Sequence, residues 1–183
     1  VFTALDIKQA PLQFTADHSG MNDEVWPAQT TVRYIFPGTA WTEGEKLEIT
    51  WYDGGRLPST SGTHLPTNEA LPRSGSLFVG QNGSVVLPHV GKMKAYPAAE
   101  IELIAGENHY HGWLDGIISG QQPSDGFEYG GPLTEAVLLG NIAVRYRGTP
   151  LEWNADVMKI SNHEEANQWL RREYRQGWDI AST

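Results

Sequence analysis

Lys46-Leu-Glu-Ile-Thr-Trp-Tyr52 decides how this sequence folds. Leu47, Ile49 and Trp51 fall on one side of an extended chain, and Lys46, Glu48, Thr50 and Tyr52 on the other. Alternation with one polar face marks a strand of an antiparallel sheet that is covered on one side only. Asp53-Gly54-Gly55 ends the strand, because glycines supply the positive φ that a tight turn demands.

Upstream, Thr30-Thr-Val-Arg-Tyr-Ile-Phe36 alternates too, is rich in β-branched and aromatic residues, and stops at Pro37-Gly38. Downstream, residues 56–75 read as a loop, with Pro58, Pro66 and Pro72 set among Ser, Thr and Gly. A loop this long inside a compact domain is functional or mobile. Residues 76–80 and 84–87 then form a hairpin through Gln81-Asn82-Gly83, since Asn-Gly between two apolar runs is a strong hairpin signal. Lys94–Tyr96 and Glu100–Ile104 are further strand candidates.

The composition changes at Gly106. Between Asn108 and Ser119 the apolar residues Trp113, Leu114, Ile117 and Ile118 take helical spacing. Pro132 occupies a first-turn position behind Gly131, and Leu133 to Arg145 reads as a nearly all-round apolar helix at the centre of the domain. On it Thr134, Asn141 and Arg145 make a narrow polar stripe, with Glu135 beside the first turn, and such groups need partners if buried. Leu151–Trp153 and Val157–Ile160 are short extended pieces. Asn162, with Glu165 three residues on, caps a last helix whose apolar face is Ala166, Trp169, Leu170 and Tyr174 and which Gly177 stops. Arg171, Arg172 and Arg175 suit the dipole at its end. Strands first and helices second predict one α+β domain over 1–183: a mostly antiparallel open sheet with helices packed on one face.

Hydrophobic residues at 39% and charged residues at 19% are those of an ordinary globular protein. A net charge of −9 argues against a nucleic-acid partner, because there is no basic stripe to displace counterions from phosphate. The absence of cysteine removes disulfides, thiolate catalysis and Cys-ligated zinc together, and leaves the compartment open between bacterial cytoplasm and periplasm. No apolar run approaches the roughly 20 residues that span a bilayer. The chain starts mid-pattern at Val1-Phe-Thr-Ala-Leu5, without Met or a leader pattern, and so reads as a processed product or an excised domain.

Candidate chemistry is sparse. His109 and His111 lie two apart, which on a helix puts them on different faces and denies them a shared metal. Their plainer reading is cap or surface histidines. Asp53-Gly54-Gly55 is first a turn; it also allows Trp51 as a sugar-stacking platform and Asp53 as a hydroxyl acceptor at a cleft mouth, and Tyr52 and Asp53 are better placed for a ligand than Trp51, which shares a face with Leu47 and Ile49. No nucleophile elbow appears, and no Gly-x-Gly-x-x-Gly follows a strand and opens a helix.

Two ordered signatures stand out late in the chain. The first is Phe127-Glu-Tyr-Gly-Gly-Pro-Leu-Thr-Glu-Ala-Val-Leu-Leu-Gly-Asn-Ile-Ala-Val-Arg145. The second is Leu151-Glu-Trp153 followed by Asn162-His-Glu-Glu-Ala-Asn-Gln-Trp-Leu-Arg-Arg-Glu-Tyr-Arg-Gln-Gly-Trp178. With Trp51-Tyr-Asp-Gly-Gly55, Phe78-Val-Gly80 and His109-Tyr-x-x-Trp-Leu-Asp115, they resemble the C-terminal domain of the Gfo/Idh/MocA oxidoreductases, in a bacterial branch. The resemblance implies an N-terminal Rossmann domain that binds NAD or NADP and a C-terminal domain that walls the substrate cleft and forms homo-oligomers through its open sheet face. It implies substrates such as sugars, cyclitols and their derivatives, with some members hydrolysing or eliminating glycosides.

The departures are instructive. The family's catalytic Lys lies in Glu-Lys-Pro, whereas Glu45-Lys46 here is followed by Leu47 and enters a strand. The family's Asp-x-x-x-His lies just upstream of a segment resembling Val1-Phe-Thr-Ala-Leu-Asp6, so the chain is expected to begin just after that histidine. On this reading it carries no catalytic, cofactor-binding or metal residue and is inactive alone. Trp51, Tyr52, Asp53, His109 and His111 are then its substrate-side candidates. The alternatives are a free-standing carbohydrate-binding module, which would use the tryptophans on an open sheet, and a glycoside hydrolase with an unrecognised carboxylate pair.

Overall fold

In the computed structural model, residues 1–178 are described apart from 23, 101, 103–105 and 107. The strand expected over 100–104 lies largely outside the described residues. The chain divides into two compact units, one of residues 2–51 and 126–183, the other of residues 52–125 with Val1.

The first unit is an open antiparallel sheet with one long helix against it. Its strands are β1 (Gln13–His18), β2 (Thr30–Pro37), β3 (Lys46–Tyr52, the last residue in the other unit), and further on β7 (Leu151–Asn154) and β8 (Lys159–Ile160), in the order β3-β2-β1-β7-β8. The register pairs Phe14 with Tyr34, Ala16 with Val32 and His18 with Thr30, so these alternate residues all point to one face. That face is the core. Phe14 and Leu151 are wholly buried there, and Phe2 of the short helix α1 (Phe2–Leu5) meets Phe36 edge-on at 5.5 Å. Full burial of one such side chain is worth roughly 1.5–3 kcal/mol. The opposite face is polar: Thr15, Asp17, Thr31 and Arg33 by alternation, with Arg33 paired to Glu48 at 3.2 Å. Ile35 and Tyr52 are the large apolar residues that β2 and β3 place on this side.

The long helix, α3 (Phe127–Arg145), starts six residues earlier than its apolar pattern suggests. The carbonyl of Gly126 accepts from the N–H groups of both Tyr129 and Gly130, which closes the first turn, so Pro132 lies inside the helix and not at its start. Ala136, Leu139, Gly140 and Ala143, at i, i+3, i+4 and i+7, form the stripe that packs on β1 and β2. The helix is therefore not central. Its other side, with Val137, Leu138, Thr134, Asn141 and Arg145, is exposed, so the polar stripe needs no buried partners.

The last helix is also corrected. Only Glu164–Trp169 is helical, as a 3-10 helix that His163 precedes without a side-chain cap. Asn162 is used elsewhere: its Oδ1 accepts from the Glu152 N–H at 2.9 Å and its Nδ2 donates to the Pro150 carbonyl at 2.9 Å. Asn167 likewise clamps both backbone groups of Ile160. Side chains that could have capped a helix fasten the segment to β7 and β8 instead, and Arg171, Arg172 and Arg175 lie beyond any helix.

The second unit holds a three-stranded antiparallel sheet, β4 (Gly75–Val79), β5 (Ser84–Pro88) and β6 (Lys94–Tyr96), and the helix α2 (His109–Ser119). The Asn82-Gly83 hairpin closes with Gly80 N–H donating to the Gly83 carbonyl at 2.8 Å. Its core is thin, with Leu65 and Val86 the large buried apolar residues among those described.

Candidate functional site

The candidate site begins where β3 runs out. Leu47 and Ile49 are half-buried against the core, but Trp51 on the same side is 59% exposed. Trp51 is thus a surface aromatic and not core. Tyr52 is partly exposed beside it. Asp53 folds back on the turn, its Oδ1 accepting from the Gly54 N–H at 2.7 Å and its carbonyl from the Arg56 N–H at 3.3 Å. Gly54 and Gly55 take φ of 66° and 83°, which explains the glycine pair.

The start of α2 carries the other candidates. Asn108 caps it, its Oδ1 accepting from the N–H groups of Tyr110 at 3.0 Å and His111 at 3.3 Å. His109 stacks on Tyr110 with ring centres 4.1 Å apart, and both histidines are exposed. Among the described residues no hydrogen bond or ring contact joins them to Tyr52 or Asp53, and no group of three or more His, Asp or Glu could hold a metal ion. The structure leaves the five candidates as exposed groups on two separate segments.

At the start of α2 the N–H groups of Tyr110 and His111 are taken by Asn108, and the first turn of α3 bears the Glu128 carboxylate. No helix among the described residues is long and apolar enough to cross a membrane.

Three arrangements escape a reading of the sequence. Glu135 on α3 accepts from the Trp153 indole N–H at 2.7 Å. Glu69 accepts from Lys94 Nζ at 2.8 Å and is also hydrogen-bonded by Tyr96. Lys94, then Tyr96, hold the Glu69 carboxyl below the usual carboxylate range, and Glu69 holds Lys94 above the usual lysine value. Lys94 and Tyr96 sit two apart on one face of β6, the one signal the sequence carried; Glu69 lies far off in the loop. The third is a groove of about 980 Å³ across one end of the five-stranded sheet, lined by Lys46, Gln13, Trp153, Glu152, Asp156 and Glu135 among others.

No protein-family model matches the chain, and no curated protein matches it either.

Proposed function

We propose that this chain is the substrate-binding and assembly part of an NAD(P)-dependent oxidoreductase acting on sugars, cyclitols or related derivatives, and that a separate Rossmann domain supplies the cofactor. The observation that carries the reading is α2. Tyr110, Trp113, Leu114, Ile117 and Ile118 recur at i, i+3, i+4, i+7 and i+8, yet none of the eleven residues of this helix is buried. An amphipathic helix whose apolar face meets water is made to be covered. The reading also draws on the two late signatures, and on the α+β fold with an open antiparallel sheet.

The substrate side of such an enzyme includes the exposed Trp51–Gly55 strand end and the start of α2, with Tyr52, Asp53, Trp51, His109 and His111 as ligand contacts. The open sheet face serves homo-oligomerisation. The test is to produce the chain together with the nucleotide-binding domain encoded in frame with it, and to follow nicotinamide reduction with a panel of sugars and cyclitols. Turnover that Trp113→Ser and Ile117→Ser abolish together with association of the two domains supports the proposal. A coding sequence without a dinucleotide-binding domain overturns it. The exposure of Trp41 and Trp51 favours a second reading, a carbohydrate-binding module. That reading requires the chain alone to bind soluble polysaccharide.

A further inference from the structure

Residues 171–178, Arg-Arg-Glu-Tyr-Arg-Gln-Gly-Trp, are exposed at every position and belong to no helix or strand. Three arginines face one glutamate in this arm, on a chain whose net charge is −9, so the remainder is more acidic than the whole. None of the three arginines forms an ion pair among the described residues. Two rest on aromatic rings of the arm itself: Arg172 lies 5.7 Å from the Tyr174 ring centre and Arg175 4.6 Å from that of Trp178. A stacked guanidinium keeps its N–H edge free for carboxylates and loses little rotamer freedom on binding them. The arm's root is fixed, because Arg145 stacks on Trp169 at 3.7 Å and the Trp169 indole N–H donates to the Tyr146 hydroxyl.

The same unit carries a surface of the opposite kind. At the β7 end of the groove, Glu152 and Asp156 are exposed and form no ion pair among the described residues, and one oxygen of Glu135 remains after the Trp153 bond. Lys46 lies toward the other end, since β2 and β1 stand between β3 and β7, and Lys8 is already paired with Asp6 at 3.1 Å. No residue lining the groove comes from 170–178. Among the described residues, an arm whose arginines form no ion pair and a groove whose carboxylates form none thus occur on one chain, and no arm residue lines the groove.

We infer that the arm of one copy docks in the β7 end of the groove of a second copy, with Arg171, Arg172 and Arg175 set against Glu152, Asp156 and Glu135. A two-fold axis makes the contact twice, so every pairing is reciprocal. This surface is distinct from the open sheet face, and the inference does not rest on the enzymatic reading.

The test is the association state of the whole chain by light scattering and sedimentation. A dimer is expected at low salt, with a dissociation constant weakened at least about tenfold on going from about 50 to 500 mM salt. Reversing the arm (R171E/R172E/R175E) or the groove (E152K/D156K) should each remove this salt-sensitive association step, whether or not the open sheet faces also pair, with an unchanged circular dichroism spectrum. Glu135 is left intact because its bond to Trp153 is structural. Combining both reversals on one chain should restore that step, which misfolding could not do. A wild type without a salt-sensitive association step, a step indifferent to either reversal, or a combined variant that still lacks it would each overturn the inference.

Discussion

Gly140 of α3 lies so close to Tyr34 of β2 that a Cβ at position 140 would fall on the tyrosine hydroxyl. Tyr34 is only 8% exposed, rests against Phe36 with ring centres 6.1 Å apart, and its phenol is pushed far above the usual value by burial. The same Cβ would lie 3.2 Å from Tyr34 Cζ and 3.5 Å from Val32 Cγ1, so the clash is with the buried tyrosine alone. Glycine at 140 therefore sets how closely helix and sheet approach.

Gly140→Ala should destabilise the protein by about 1–3 kcal/mol, because overpacking outweighs the roughly 1 kcal/mol that alanine gains inside a helix. Urea unfolding measures it. Tyr34→Phe in the same chain should recover part of the loss by removing the clashing oxygen, whereas equal losses with and without the hydroxyl would mean that the helix shifts instead.

The hydrogen bond between Trp153 and Glu135 ties β7 to α3. Trp153→Phe keeps an aromatic ring but removes the N–H donor, leaving a half-buried carboxylate without its partner. A cost of about 1–3 kcal/mol is expected from unfolding curves. Trp153→Phe combined with Glu135→Leu should cost less than Trp153→Phe alone, since no carboxylate is then left unsatisfied.

What the sequence discloses of this fold follows from how each segment is buried. β3, β6 and the extent of α2 are legible because alternation or helical spacing is local. β1 escapes, although it is the central strand: its inward residues are Phe14, Ala16 and His18, two of them too small or too polar to announce a core. The last helix is misread because Asn162 and Asn167 bond to β7 and β8, which no local pattern records. At the candidate site, Asp53 and its glycines are legible as a turn, while the Glu69 and Glu135 pairings depend on contacts between distant segments.

The Glu69–Lys94 pair should give a pH-dependent stability increment. The folded Glu69 carboxyl titrates below its unfolded value, so its contribution is complete above the ordinary carboxylate range and disappears as pH falls through the lowered value. Lys94 is raised, so its share is complete below the ordinary lysine range and disappears as pH climbs through the raised value. Solvent screens this exposed pair, and the increment should be small. The melting temperature of the wild type should exceed that of Glu69→Gln by a few degrees at most at neutral pH, and the difference should vanish under strong acid. A gap that persists in acid would mean that the charge is not its source.

Asp53 offers a direct check on the substrate side of the proposal. Its carboxylate accepts from the Gly54 N–H, a role that the amide oxygen of asparagine fills equally well, and Gly54 and Gly55 already supply the turn's positive φ. Asp53→Asn should therefore leave the melting temperature almost unchanged. In the enzyme formed with its nucleotide-binding domain, the same change removes a negative acceptor for a substrate hydroxyl and should lower kcat/KM about tenfold, or about 1.4 kcal/mol of transition-state binding. Asp53→Ala, which also loses the turn bond, should lower both activity and melting temperature. If Asp53→Asn keeps full activity while Asp53→Ala loses stability alone, Asp53 serves the turn only, and the ligand contacts must come from Tyr52, Trp51 and the histidines at the start of α2.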